Sequence, residues 1–267
     1  AARALGQVGL KSVPQTLAAL STGNTSVRSG ALLVLAEIGP DTRGEASAIR
    51  KFVTDEAPEV RIRAAQALAH VGVAQSELIE VLVELIQDDH DDVQYAAGEL
   101  FMLVRPREAT VPHLTRLIEG EDTAVVLRAA TLLSRFGRVA ESAVPALVKA
   151  TAQLGEQDTD AVLPKALGVI GEGAVEDIIT GLAASQYPEM TLRRYVDALT
   201  LTGTGAIPSL AIALAHASPQ VRSGAALTLG ASGKTAEHLV PKIITLLDDD
   251  DVFVRASAAE ALGDLGP

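Results

Sequence analysis

Cysteine is absent from this 267-residue chain, which removes disulfides, thiolate metal sites and cysteine nucleophiles together. Tryptophan is absent too, and aromatic residues make up 3% of a chain that is 48% hydrophobic. The core must therefore be assembled from Ala, Leu, Val and Ile, a palette suited to packed helices. Basic residues are scarce, 22 Lys plus Arg against 34 Asp plus Glu, for a formal charge of -12. A surface of that sign repels phosphate backbones at long range, so nucleic acid is not an expected partner. Apolar runs are broken by charges, Gly or Pro before reaching the roughly 18 residues a membrane helix requires, and no signal-peptide pattern opens the chain. No membrane span and a cytoplasmic location are the expectations.

What is present is a repeat. Glycines close apolar helical patterns at Gly9, Gly39, Gly72, Gly137, Gly171, Gly203, Gly233 and Gly266, with Arg105 where one more belongs, at intervals of 30 to 34 residues. A period this regular is the mark of stacked helical hairpins. Glycine recurs there because helices commonly end on a left-handed residue. The runs before these closings align without gaps: VRSGALLVLAEIG (27–39), VRIRAAQALAHVG (60–72), VRSGAALTLGASG (221–233) and VRASAAEALGDLG (254–266). Counted back from the closing residue, apolar or small residues recur at places one, four, five, eight and twelve, the stripe of an amphipathic helix. Leu35, Leu68, Phe101, Leu133, Leu167, Leu199, Leu229 and Leu262 should lie buried on that stripe, and Ala31, Ala64, Ala97, Ala129, Ala225 and Ala258 should let neighbouring helices approach.

The partner helix of each pair carries its own signal, an apolar residue followed by proline. Val13-Pro14, Val111-Pro112, Val144-Pro145, Ile207-Pro208 and Val240-Pro241 each precede a closing position by the same interval to within one residue. Proline is tolerated in a first helical turn, where its missing N–H has no partner to lose, so these mark helix starts. The reading is an all-α chain, an α-solenoid wound as a right-handed superhelix of about eight antiparallel pairs with a leading half repeat, forming one array over 1–267.

The Val-Arg openings, the paired alanines and the closings of Ala-Leu-Gly type resemble HEAT repeats, particularly the short bacterial kind known from phycobilisome lyases. The resemblance covers essentially the whole chain and speaks to fold far more than to function. It implies that the Arg of the second helix interacts across repeats with an acceptor in a turn, giving Arg28, Arg61, Arg222 and Arg255 structural roles. Asp250 and Asp251 read as helix-capping acids.

Two repeats depart from the pattern. In the fifth, Pro164 stands inside DTDAVLPKALGVIG (158–171), so that helix should start late, near Leu163 or Pro164, after a long turn LGEQDTD (154–160). In the third, Arg105-Pro106 replaces the glycine, and Tyr95, Phe101 and Met102 concentrate bulk that should fill a wider gap between repeats, the other reading being a ligand contact.

Reaction chemistry is harder to find. Asp88-Asp89-His90-Asp91-Asp92 is the best metal candidate, yet it lacks the Gly and Glu of a calcium loop and reads better as a solvated turn capping the next helix. None of His70, His90, His113, His216 and His238 is followed by Glu, as a di-iron hydroxylase of HEAT-like type would require. No phosphate-cradling loop or nucleophile elbow appears. No catalytic residues, metal or cofactor are therefore assigned.

The function expected is a protein–protein scaffold, with a HEAT-like accessory enzyme, such as a lyase-type chromophore or modification factor, as the alternative. Both ends lack a polar cap, AARALGQVG (1–9) matching only part of a helix, so a place in a longer repeat array or multi-domain chain, or end-to-end association, is expected. In HEAT-like stacks the second helices line the concave side, where places two, six and nine before each closing share a face. They spell Glu37; Arg63, Gln66 and His70; Glu99; Arg128, Thr131 and Arg135; Lys165; Arg194 with Asp197; then Glu260 and Asp264. Arg63, Gln66, His70, Arg128, Thr131, Arg135, Lys165 and Arg194 form the candidate stripe for a protein or peptide partner bearing an acidic or phosphorylated segment.

Overall fold

The computed structural model describes residues 9–154, 161–184 and 188–266, and no strand occurs among them. The first four helix pairs are α1 (Val13–Thr22) with α2 (Thr25–Ile38), α3 (Ala46–Arg50) with α4 (Pro58–Val71), α5 (Gln75–Leu85) with α6 (Asp91–Phe101), and α7 (Val111–Ile118) with α8 (Thr123–Phe136). Four more follow: α9 (Val144–Leu154) with α10 (Val162–Ile170), α11 (Val175–Ala184) with α12 (Pro188–Thr202), α13 (Ile207–Ala213) with α14 (Pro219–Ala231), and α15 (Val240–Thr245) with α16 (Val252–Leu265). All five apolar-proline dipeptides open a first helix. α10 begins at Val162 and holds Pro164 in its first turn, one residue earlier than expected. Residues 1–8, the leading half repeat, and 155–160, most of the long turn, lie outside the described residues.

The chain divides into two compact units, Ala1–His113 and Leu114–Pro267. Within the first, the second helices α2, α4 and α6 pack on one another in order; within the second, α8, α10, α12, α14 and α16 do the same. The apolar stripe faces these contacts. Leu35, Leu68, Phe101, Leu133, Leu167, Leu199 and Leu229 are at most 1% exposed. Leu262 is only half-buried, on α16, which packs on α14. The six alanines at the eighth place are all buried.

All eight expected closing glycines have positive φ. They are not all left-handed helical, as Gly72 is (φ 73, ψ 45): Gly39 and Gly171 combine positive φ with ψ of -140 and -147, a region essentially reserved for glycine. At the third closing the Arg105 guanidinium does the capping, Nη1 donating to the Met102 and Val104 carbonyls at 2.7 Å each. Of the bulky residues nearby, Phe101 is fully buried and Met102 half-buried, but Tyr95 is 73% exposed. It lies off the stripe, ten places before the closing, and fills no gap.

One longer segment, Thr191–Ala213, passes by length and mean hydropathy as a membrane span, but Arg193, Arg194, Asp197 and Pro208 interrupt it. Gly203, at φ 75, and the 3-10 turn Gly203–Ala206 divide it into α12 and α13, and both helices pack on α14.

Pairs are joined by a polar clip. Arg28 Nη2 donates to Asp55 Oδ1 at 2.8 Å, Arg61 Nη2 to Asp88 Oδ1 at 2.6 Å, and Arg222 through Nε and Nη2 to both Asp249 oxygens at 2.7 Å. Each arginine also ties its own turn, Arg61 Nη1 to the Asp55 carbonyl at 2.9 Å and Arg222 Nη1 to the His216 carbonyl at 2.8 Å. Each aspartate accepts a backbone N–H two residues on, from Ala57, His90 and Asp251. Thus each partner of a charge pair whose side chains are only 8 to 16% exposed is also tied to the backbone. Arg255 ties its turn identically, Nη1 reaching the Asp249 and Asp250 carbonyls at 2.8 and 3.1 Å. The acidic tract resolves accordingly: Asp251 caps α16 through the Phe253 and Val254 N–H groups, Asp249 holds the clip, and Asp250 contributes its carbonyl rather than a side-chain cap. In the 88–92 turn, Asp88 and Asp89 pair with Arg61, and α6 starts after His90 without a side-chain cap.

Three outcomes follow in denaturant unfolding. Leu133→Ala should cost about 2 to 5 kcal/mol, as a buried leucine truncated in a close-packed layer does. Gly230→Ala, which at an exposed helix site would stabilise by about 1 kcal/mol, should instead destabilise, because the new Cβ would stand 2.6 Å from Ala261 Cα on α16. The Arg222 guanidinium holds the Asp249 carboxyl below its ordinary value, so its stabilisation is complete above the unfolded carboxylate value and lost as pH falls through the native one. Wild type should lose stability more steeply than Asp249→Asn from about pH 4 downward.

Candidate functional site

On the second helices, side chains off the buried stripe are left outward. In the first unit such side chains surround a groove of about 510 Å³ between α2 and α4, lined by Leu33, Ala36 and Glu37 from α2 and by Arg63, Gln66 and His70 from α4. Places two, six and nine before Gly72 thus converge as the helical spacing requires. Gln66 organises the cluster: its side-chain oxygen accepts from Arg63 Nη1 at 2.9 Å, and its backbone carbonyl lies 2.7 Å from His70 Nδ1. A carbonyl can only accept, so Nδ1 carries the proton and Nε2 is left for a ligand. Arg63 is exposed, and its other guanidinium nitrogens have no partner among the described residues. Leu33, on the same face, adds an apolar wall that a search for charged residues passes over.

The second unit carries residues at the corresponding places of its own second helices. Arg128, Thr131 and Arg135 stand on α8, Lys165 on α10, and Arg194 and Asp197 on α12. Arg135, Lys165 and Asp197 are exposed, while Arg128 and Arg194 are half-buried. Thr131 spends its hydroxyl proton on the Leu127 carbonyl at 2.8 Å. Arg128, Arg135 and Arg194 already hold interactions within the chain, while the Lys165 ammonium shows none among the described residues. Glu37 and Glu99 in the first unit, and Glu260 and Asp264 in the second, are exposed at the corresponding places. Among the described residues, no three His, Asp or Glu side chains converge as a metal-binding group.

Similarity to known proteins runs along this architecture. A family model described as HEAT repeats matches residues 13–101 and 207–267. Those two stretches contain the three Arg–Asp clips; between them the clip arginine is replaced, by Val126 in α8 and Leu192 in α12. Among solved structures, the karyopherin Kap121p bound to the SUMO protease Ulp1p superposes with a TM-score of 0.61 at 16% identity, over 96% of this chain and 33% of that one. Kap121p bound to Nup53p gives 0.60 at 16% identity over the same shares, and Kap95p, in a structure with RanGDP, gives 0.50 at 15% over 96% and 39%. The chain thus spans about a third of the length of the Kap121p chains it resembles, and at this identity the likeness is one of fold. No curated protein matches the chain. The helix pairs, the recurring clip and the family match over more than half of its length make the chain a member of the HEAT-repeat family.

Proposed function

We propose that this chain is a protein-binding scaffold that holds an acidic or phosphorylated segment of its partner along the exposed row of its second helices, the concave row of a HEAT-like stack. The observation that carries the reading is the groove between α2 and α4. In a chain of net charge -12, an arginine with open donors and a histidine with an open ring nitrogen flank the same cleft. The Arg63 guanidinium set over an apolar wall can fork onto a carboxylate or phosphate while Leu33 packs against the neighbouring side chain, and His70 Nε2, an acceptor while Nδ1 carries the proton, can take an N–H or O–H of the same segment. Glu37 in the same groove sets the register, repelling an anion placed one position away. In the second unit, taken by itself, Lys165 is an exposed cation at the corresponding place on α10. The solved HEAT-type structures with the same fold include complexes with protein partners, Ulp1p and Nup53p for Kap121p, which supports a protein ligand.

The test uses a peptide array of paired phosphoserine, aspartate and serine sequences probed with the whole chain. Anionic peptides should bind in a salt-sensitive manner, Arg63→Glu should weaken them at least tenfold, and Arg128→Glu/Arg135→Glu/Arg194→Glu should weaken the longer ones further. Equal binding of the serine controls, or unchanged affinity in a folded Arg63→Glu variant, would sink the proposal.

A further inference from the structure

The place nineteen residues before the closing position, at or just past the end of the first helix, holds Leu20, Val53, Ile86, Ile118 and Leu214, each at most 4% exposed, and Leu247, 39% exposed. In two successive pairs of the second unit the same place holds Ala152 and Ala184, the first half-buried and the second exposed. The volume withdrawn there is not refilled by the first helices. A cavity of about 630 Å³ opens between α9 and α11, and both alanines line it.

Its floor is an exchange of sizes between the two helix layers. The eighth place before the closing, alanine in six of the pairs, is Tyr195 on α12. That ring is fully buried, and its hydroxyl donates to the Val148 carbonyl of α9 at 2.9 Å. Burial pushes the phenol up to about 12, so the floor is neutral and keeps lone pairs able to accept. Gly181 on α11 makes room for it, since a Cβ there would stand 2.8 Å from the tyrosine oxygen and 2.4 Å from Val148 Cγ1. Around the mouth stand Lys149 and Gln153 from α9 and Asp177 and Thr180 from α11. Neither Lys149 nor Asp177 has an ion-pair or hydrogen-bond partner among the described residues, although Asp177 is half-buried.

We infer that this cavity is a docking pocket for a bulky apolar side chain of a partner peptide, seated over Ala152 and Ala184 and held at its backbone by Lys149 and Asp177. An apolar depression takes a leucine- or phenylalanine-sized group, and a cation and a carboxylate at its rim complement the acceptor and donor of the peptide unit that carries it. A free apolar molecule would leave both rim charges unmatched, which favours a peptide. The pocket lies on the first-helix layer and involves none of the stripe residues, so it stands apart from the function proposed above.

The probe is a phage-displayed library of random dodecapeptides, selected on the whole wild-type chain and counter-screened on Ala152→Leu/Ala184→Leu, which restores the residue size found in the other pairs. Peptides enriched on wild type should share one large apolar position and bind the double variant at least tenfold more weakly, with a smaller loss for Lys149→Ala/Asp177→Asn. Ala184→Leu alone, at the exposed rim, serves if the double variant does not keep the wild-type helical circular dichroism. If no peptide is enriched, or if the enriched peptides bind the filled variants as tightly as wild type, the pocket assignment is overturned.

Discussion

A guanidinium reaching from one helix pair to a carboxylate in the turn of the next is the contact around which the clipped repeats are organised. Apolar stripes alone do not fix how one pair sits on another, because leucine and alanine surfaces tolerate sliding by a turn or a rotation of a few degrees. A charged hydrogen bond that is nearly buried does not tolerate it, since a shifted arginine would leave two desolvated charges unpaired. The second anchor, from the same guanidinium to its own turn, means that the arginine is already oriented before the aspartate arrives. Arg222, with Nε and Nη2 both on Asp249, is the complete form. In Arg28 and Arg61 the Nε atoms are buried without a partner, so those two clips hold by a single prong to each aspartate.

Where the arginine is missing, the chain specifies packing by shape. Gln94 keeps the tie to its own turn, donating to the Asp88 carbonyl at 2.5 Å, but is too short to reach forward. Val126 fills the same place as plain apolar volume and is buried. In the sixth pair the lock is steric: Tyr195 passes through the layer and is gripped by Gly181 and Val148. Irregular side-chain sizes, and with them a cavity, appear where the clip arginine is replaced.

Most of the fold was legible because repetition turns a weak local signal into a strong one. A single Val-Pro or closing glycine says little, but five dipeptides and eight glycines at one interval mark each boundary to within a residue or so. The closing glycines were legible as positions and not as conformations, since sequence spacing does not separate the left-handed region from the extended positive-φ region that Gly39 and Gly171 adopt. Asp249 was hidden among four consecutive aspartates, where only the three-dimensional reach of Arg222 distinguishes clip, carbonyl and cap. Tyr95 was misjudged by composition, a rare aromatic being assumed to be core although its place on the helix points outward. Helical spacing did bring Arg63, Gln66 and His70 together, while the alanines at 152 and 184 carried a visible signal that becomes meaningful only against their bulky equivalents.

Each clip joins residues 27 apart in the chain, and that short separation bears on how the molecule acquires its structure. Closing a loop of this length loses little entropy, and no pairing of distant segments has to wait for another. Folding can therefore start in any clipped pair and spread to its neighbours as a zipper does, with the clips acting as ratchet points that hold each newly added hairpin. From α7 to α12, where Val126 and Leu192 stand in the clip arginine's place, each hairpin is added without that particular ratchet.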